Sequence, residues 1–86
     1  MNINDLISIV KKKLLDQIEI ERIQIEDKSF LHKNHVGNQK GRYHLKITIF
    51  SEELKNMKKI DSTKKIYRIL NIELKEYIHS IQILIN

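Results

Sequence analysis

Ile3, Leu6, Ile7, Val10 and Leu14 recur at spacings of three and four residues, which is one apolar stripe along a helix. Asn2 or Asn4 is placed to cap its start, and Asp5 falls in the first turn, where the helix dipole favours an anion. Lys11, Lys12 and Lys13 fall in the C-terminal half, where the same dipole favours cations. From Ile18 to Glu26 the period changes to two: Ile18 and Ile20 alternate with Glu19 and Glu21, then Ile23 and Ile25 with Gln24 and Glu26. The phase slips between Ile20 and Ile23, so a strand is predicted from about Arg22 with a turn or bulge before it. Residues 27–41 hold both glycines, Gly37 and Gly41, and read as a long loop, the kind of segment that often carries function.

Tyr43 to Phe50 is the second predicted strand, with Leu45, Ile47 and Ile49 on one face and His44, Lys46, Thr48 and Phe50 on the other. Ser51 is placed to cap a short helix through Glu52, Glu53 and Leu54, and Asp61 or Ser62 to cap a longer one. Ile66, Ile69, Leu70, Glu73, Leu74 and Tyr77 mark the inner side of that longer helix, and Ile81, Ile83 and Ile85 alternate in a last strand. Three strands cannot bury themselves, so the helices cover one face of the sheet. The expected fold is a two-layer α+β domain of order α-β-β-α-α-β spanning residues 1–86, with a three-stranded mixed sheet. The first two strands pair antiparallel by adjacency, and the last arrives after two helices and can pair parallel. Ile7, Val10, Leu45, Ile47, Ile66, Leu70, Ile81 and Ile83 are expected to be buried.

Composition narrows the chemistry. The 86 residues include no cysteine, which removes disulfides, thiolate ligands and thiol catalysis. Four histidines remain as versatile ligands: His32 and His35 in the loop, His44 within a strand, and His79 where the long helix gives way to the last strand. His44 reads as structural. No apolar run approaches the roughly 20 residues that span a bilayer, and the N-terminus has neither a secretory nor a transit pattern. A cytoplasmic location is expected, or an organelle if a targeting segment precedes this sequence.

The net charge of +5 favours anionic partners, although much of the lysine reads as solvated surface. Lys58, Lys59, Lys64, Lys65 and Arg68 gather around the head of the long helix. A nucleic acid held there would be bound through its phosphates, with weak sequence preference and strong salt dependence. No nucleophile, base and orienting group stand at a recognisable spacing. Gly37-Asn38-Gln39-Lys40-Gly41 lacks the Gly-Lys-Ser/Thr ending of a phosphate loop and leads into a strand, so an enzyme is not expected.

The order of motifs resembles the BolA family over nearly the whole chain. Tyr43-His44-Leu45-Lys46-Ile47 is similar to its Thr-His-Phe-Lys-Val strand, and Ile49-Phe50-Ser51-Glu52-Glu53-Leu54 to its Val-Ser-x-x-Phe. Ile66-Tyr67-Arg68-Ile69-Leu70, Glu73-Leu74 and Ile78-His79-Ser80-Ile81 resemble its Val-Tyr-x-x-Leu, Glu-Leu and Ile-His-Ala-Leu. There are departures: Leu54-Lys55-Asn56 replaces Phe-Glu-Gly, Ser62-Thr63-Lys64 replaces Arg-His-Arg, and Asn34 replaces a loop glycine.

The resemblance implies a fold similar to the type II KH domain. It also implies a heterodimer with a monothiol glutaredoxin of the Cys-Gly-Phe-Ser type, formed by a chain that is monomeric alone. In that family a 2Fe–2S cluster bridges the two proteins, the glutaredoxin supplying its cysteine and glutathione. The family's C-terminal histidine ligand maps onto His79, and the loop ligand onto His32 by its Ser-x-x-His spacing, with His35 the rival. Iron–sulfur clusters are ordinarily held by four thiolates, so a cysteine-free chain is not expected to hold one alone. The competing expectation is a DNA-binding regulator working through the basic surface. A KH domain clamps nucleic acid with a Gly-x-x-Gly loop between helices, whereas both glycines here lie in the histidine loop.

Overall fold

A computed structural model describes residues 1–29 and 42–86, so His32, His35, Gly37 and Gly41 lie outside the described residues. The elements run α1 (Ile3–Gln17), β1 (Arg22–Asp27), β2 (Tyr43–Phe50), α2 (Glu52–Lys55), α3 (Lys59–Ile69), α4 (Asn71–Glu76) and β3 (Ile78–Ile85). The strands form one sheet in the order β1-β2-β3, antiparallel between β1 and β2 and parallel between β2 and β3. This is the α+β architecture expected from the periodicity, with β1 and β2 starting where predicted.

Asn2 caps α1, its side-chain oxygen accepting from the Asp5 N–H at 2.8 Å. Leu6, Val10 and Leu14, four residues apart, are fully buried, and Ile18 just past the helix joins them. Ile7 is only half-buried, contrary to expectation, because it lies about 100° around the helix from Leu6. On the sheet, Ile23 pairs with Ile49 and Ile25 with Ile47, while Leu45, Ile47 and Ile49 pair with Ile81, Ile83 and Ile85. Central β2 therefore buries Leu45, Ile47 and Ile49 almost completely. Ile81 and Ile83, also expected to be buried, are half-buried because, among the described residues, β3 has a neighbouring strand on one side only. Each fully buried aliphatic side chain contributes about 1.5–3 kcal/mol.

The long helix begins earlier than predicted and is broken. Its N-cap is Lys58, which makes no side-chain cap bond, and the N–H groups of Asp61 and Ser62 already reach the Lys58 carbonyl at 2.9 and 3.0 Å. Asp61 thus lies in the first turn, and Ser62 is buried with its hydroxyl donating to the Lys59 carbonyl at 2.9 Å. Ordinary cap preferences point past position 58 because lysine has no side-chain acceptor there. At Leu70 the backbone turns to φ −97°, ψ 18°, dividing the helix into α3 and α4 while Leu70 itself stays buried. No proline or glycine stands at the break, so side-chain periodicity reads straight through it.

Polar ties join elements far apart in the chain. Lys13 of α1 donates to the nearly buried Glu73 of α4 at 2.7 Å. The Ser51 hydroxyl accepts from the Leu54 N–H at 3.2 Å, capping α2, and donates to the Glu19 carbonyl at 2.7 Å. Ser51→Ala removes both bonds and is expected to cost about 1–2 kcal/mol. Urea unfolding checks this through a lower midpoint at unchanged slope; an unchanged midpoint would show that the cap contributes nothing.

Candidate functional site

The site begins with an irregularity in β3. Tyr43 pairs with Ile78, but the next residue, His44, pairs with Ser80, so His79 is the extra residue of a bulge. The ends of the irregularity are firmly held. The Tyr77 N–H donates to the Glu73 carbonyl and the Tyr43 N–H to the Tyr77 carbonyl, both at 2.9 Å, and Ile78 is buried. His79 itself is exposed. Bulges re-aim side chains at strand ends, and this one presents an imidazole to solvent from an anchored backbone.

The bulge also brings His79 beside a second histidine. His44 lies on the sheet face opposite Leu45, Ile47 and Ile49, yet is only 6% exposed. Its Nδ1 shares a hydrogen bond with the Ser80 hydroxyl at 2.6 Å. The rings of His44 and His79 stand 5.0 Å apart at 58°. The same residue anchors the entry to the long loop: the His44 N–H donates to the Ser29 hydroxyl at 3.0 Å, and the Lys28 N–H to the His44 carbonyl at 2.7 Å. Lys28, Lys46, Ser80 and Gln82 line a hollow of about 260 Å³ beside His44, with the Lys28 ammonium paired to Glu26 at 3.3 Å. His44 is structural, as its place in the strand suggests, but its closeness to His79 is not visible in the sequence, because a parallel register is set by tertiary contacts.

Among the described residues, no group of three or more histidine, aspartate or glutamate side chains could hold a metal ion. The donor set here is imidazole alone, and the chain has no cysteine. An exposed imidazole such as His79 can supply one nitrogen ligand to a metal whose remaining ligands come from elsewhere. His32 and His35 lie outside the described residues, so their placement relative to His79 is not part of this geometry.

The basic cluster divides in two. Lys59, Lys64 and Arg68 line a broad surface depression of about 720 Å³ together with Ile60, Thr63 and Tyr67. Lys58 is exposed at the head of α3. Lys65 instead turns to Glu53, donating at 2.6 Å. Ile60, 62% exposed, and Tyr67, 45% exposed, are apolar members that charge counting overlooks. Their signal is positional: they fall off the stripe of Ile66 and Leu70.

Glu53 is held below the ordinary carboxyl range, first by the Lys65 hydrogen bond and then by the Glu19 N–H at 3.1 Å; desolvation opposes these, and the Lys65 charge adds a lesser lowering. The folded state binds this proton less tightly than the unfolded chain does. The Glu53 contribution is therefore complete above the ordinary value of 4.5 and is lost as pH falls through the lower folded value. Glu53→Gln should be less stable than the parent at neutral pH, with the gap closing in acid. Thermal unfolding followed across that range checks this; a gap that does not change with pH would show that charge plays no part.

The family model for BolA-like protein matches residues 14–86. The DNA-binding transcriptional regulator BolA of Haemophilus influenzae is 32% identical over 73 residues, covering 85% of this chain and 68% of that protein. Among solved structures, BolA1 from Arabidopsis thaliana superposes with a TM-score of 0.75 at 29% identity, covering 92% of this chain and 87% of that one. The BolA domain of SufE1 from the same plant superposes at 0.77 over the whole chain and 93% of its own length, at 22% identity. The chain belongs to the BolA-like protein family.

Proposed function

We propose that this chain is a non-catalytic adaptor that pairs with a monothiol glutaredoxin of the Cys-Gly-Phe-Ser type and shares a bridging 2Fe–2S cluster with it, in cluster trafficking or iron sensing. The observation that carries the reading is the exposed His79 imidazole on an anchored bulge beside buried His44. His79 is the ligand from the described residues. The second comes from the loop, either His32 or His35. Two residues, Phe30 and Leu31, lie between Ser29, which is bonded to His44, and His32, and the three peptide units span at most about 11 Å from Cα to Cα. The glutaredoxin brings its cysteine and glutathione, the sulfur ligands this chain lacks.

Imidazole ligation raises the potential of a cluster relative to all-thiolate ligation and makes the site open to protonation. The protein's own part is to hold His79 in place through the Tyr43–Tyr77 bond and the buried Ile78.

The test is co-purification with the glutaredoxin and glutathione, read in the visible region. The mixture should show an absorption spectrum absent from either protein alone. His79→Ala should leave the fold intact but change that spectrum and make the cluster more labile, whereas Lys12→Ala on the exposed side of α1 should leave both unaltered. His44→Ala is not a neutral control, given the 5.0 Å between the rings. An unchanged complex and spectrum in His79→Ala would remove this residue from the ligand set.

A second reading, DNA binding with regulatory meaning, rests on the naming of the Haemophilus relative and on the basic face of α3. It makes a distinguishing prediction. Lys59→Glu with Lys64→Glu should weaken binding to all duplexes about equally and lower the salt slope by about two. Lys65→Gln should change binding little, because that ammonium is engaged by Glu53. Measuring affinity against salt for two unrelated duplexes decides between the outcomes. Strong discrimination between duplexes at physiological salt would instead indicate base recognition by residues outside this cluster.

A further inference from the structure

Two exposed apolar side chains stand in the middle of the basic face of α3. Ile60 is 62% exposed and Tyr67 45% exposed. They are seven residues apart, which is two turns at about 100° per residue. One therefore lies nearly above the other, about 10 Å apart along the axis. The same rotation puts Lys59 to one side of the pair and Lys64 and Arg68 to the other. The buried residues Ser62 and Ile66 lie well round the helix from them. Among the described residues, the lysines held in ion pairs are Lys12, Lys13, Lys28 and Lys65. Lys59, Lys64 and Arg68 are in none of these pairs, so three cations on one face are open to an anionic polymer.

Ile60 and Tyr67 narrow the choice of polymer. A helix that reads a duplex needs hydrogen-bonding side chains at the middle of its face, because paired bases offer polar edges and keep their flat faces stacked inside. Here the middle of the face is an isoleucine and a phenol ring. A single strand leaves the flat faces of its bases free, and cationic surfaces bearing aromatic rings hold such strands by stacking. Tyr67 has Lys64 three residues before it and Arg68 directly after it, so a base on its ring brings the flanking phosphates to cations of the same face. We propose that the outer face of α3 binds single-stranded DNA, with a base stacked on Tyr67 and phosphates on Lys59, Lys64 and Arg68. The site presupposes DNA binding, the second function proposed above, and is independent of the cluster.

Other occupants fit less well. An acidic helix of a partner protein would meet the same charges, but helix docking uses apolar anchors at i, i+3, i+4 and i+7. Between Ile60 and Tyr67 the middle two of those positions are Thr63 and Lys64, so the apolar seam is interrupted. A second copy would bring together two chains that each carry +5.

The test uses the whole chain and three labelled ligands read by fluorescence anisotropy. They are a mixed-sequence DNA strand of about ten nucleotides, the duplex it forms with its complement, and an abasic strand of the same length. The single strand should bind more tightly than the duplex, with a salt slope of about −2 for three phosphates. In NMR spectra the Tyr67 ring protons should move upfield when the strand is added. Tyr67→Ala should weaken the single strand by about tenfold and the duplex hardly at all, and Tyr67→Phe should bind like the parent. Lys64→Gln with Arg68→Gln should weaken strand and duplex alike and lower the single-strand slope by about 1.4.

Equal binding of the abasic strand, or undiminished binding of the single strand by Tyr67→Ala, would overturn the proposal. A duplex bound as tightly as the single strand would overturn it while leaving DNA binding in place. Binding of neither would remove DNA binding as well. Tighter binding of a helical glutamate–leucine peptide than of the strand, lost in Tyr67→Ala, would assign the face to a protein partner instead.

Discussion

Strand β2 is the constraint on which the rest of the molecule depends. Among the described residues it is the one strand of the sheet with neighbours on both sides, antiparallel to β1 and parallel to β3. Its inward residues Leu45, Ile47 and Ile49 are covered by the helices and form the centre of the core. Its outward residue His44 holds Ser80 through its ring and Ser29 and Lys28 through its backbone. One strand therefore joins the packing on one face of the sheet to the imidazole site on the other. Tyr43, its first residue, holds the carbonyl of Tyr77 just where the chain leaves α4. The position of His79 is thus inherited from β2 rather than made by β3.

Charge does more than coat the surface. Lys13 reaches Glu73 across a sequence gap of 60 residues, and Lys65 reaches Glu53 across 12. Both pairs link helices, and both take a lysine out of the pool available to an anionic partner. Lys59, Lys64 and Arg68 remain gathered around Ile60 and Tyr67 on α3. The net charge of +5 is therefore a poor guide to where an anion would bind. The informative quantity is which ammonium groups already have a carboxylate.

The strands and the first helix were legible because each depends on a local signal. Alternation marks Tyr43–Phe50, a phase slip marks the start at Arg22, and an asparagine two residues into the chain supplies a cap. The features missed depend on tertiary context. Helix α3 starts at Lys59 without a side-chain cap, and Leu70 bends the chain without a glycine or proline. Alternation in β3 shows which residues face inward but not that the strand lies at an edge, so Ile81 and Ile83 were expected deeper than they are. His79 was visible as a histidine at a junction, but its closeness to His44 requires the bulge. The histidine loop, with His32 and His35, lies outside the described residues.

The parallel pairing of β2 with β3 has a consequence for the order in which the molecule assembles. An antiparallel neighbour can zip up from a connecting loop, but a parallel one cannot form until the whole crossover of α2, α3 and α4 has brought the chain back. Closing so long a span costs entropy before any strand contact repays it. The bulge at His79 sits at the start of that last strand, so its geometry depends on the same long-range closure. A metal centre using His79 would report on the completed fold, and its bound ligands would in turn hold this long-range pairing closed.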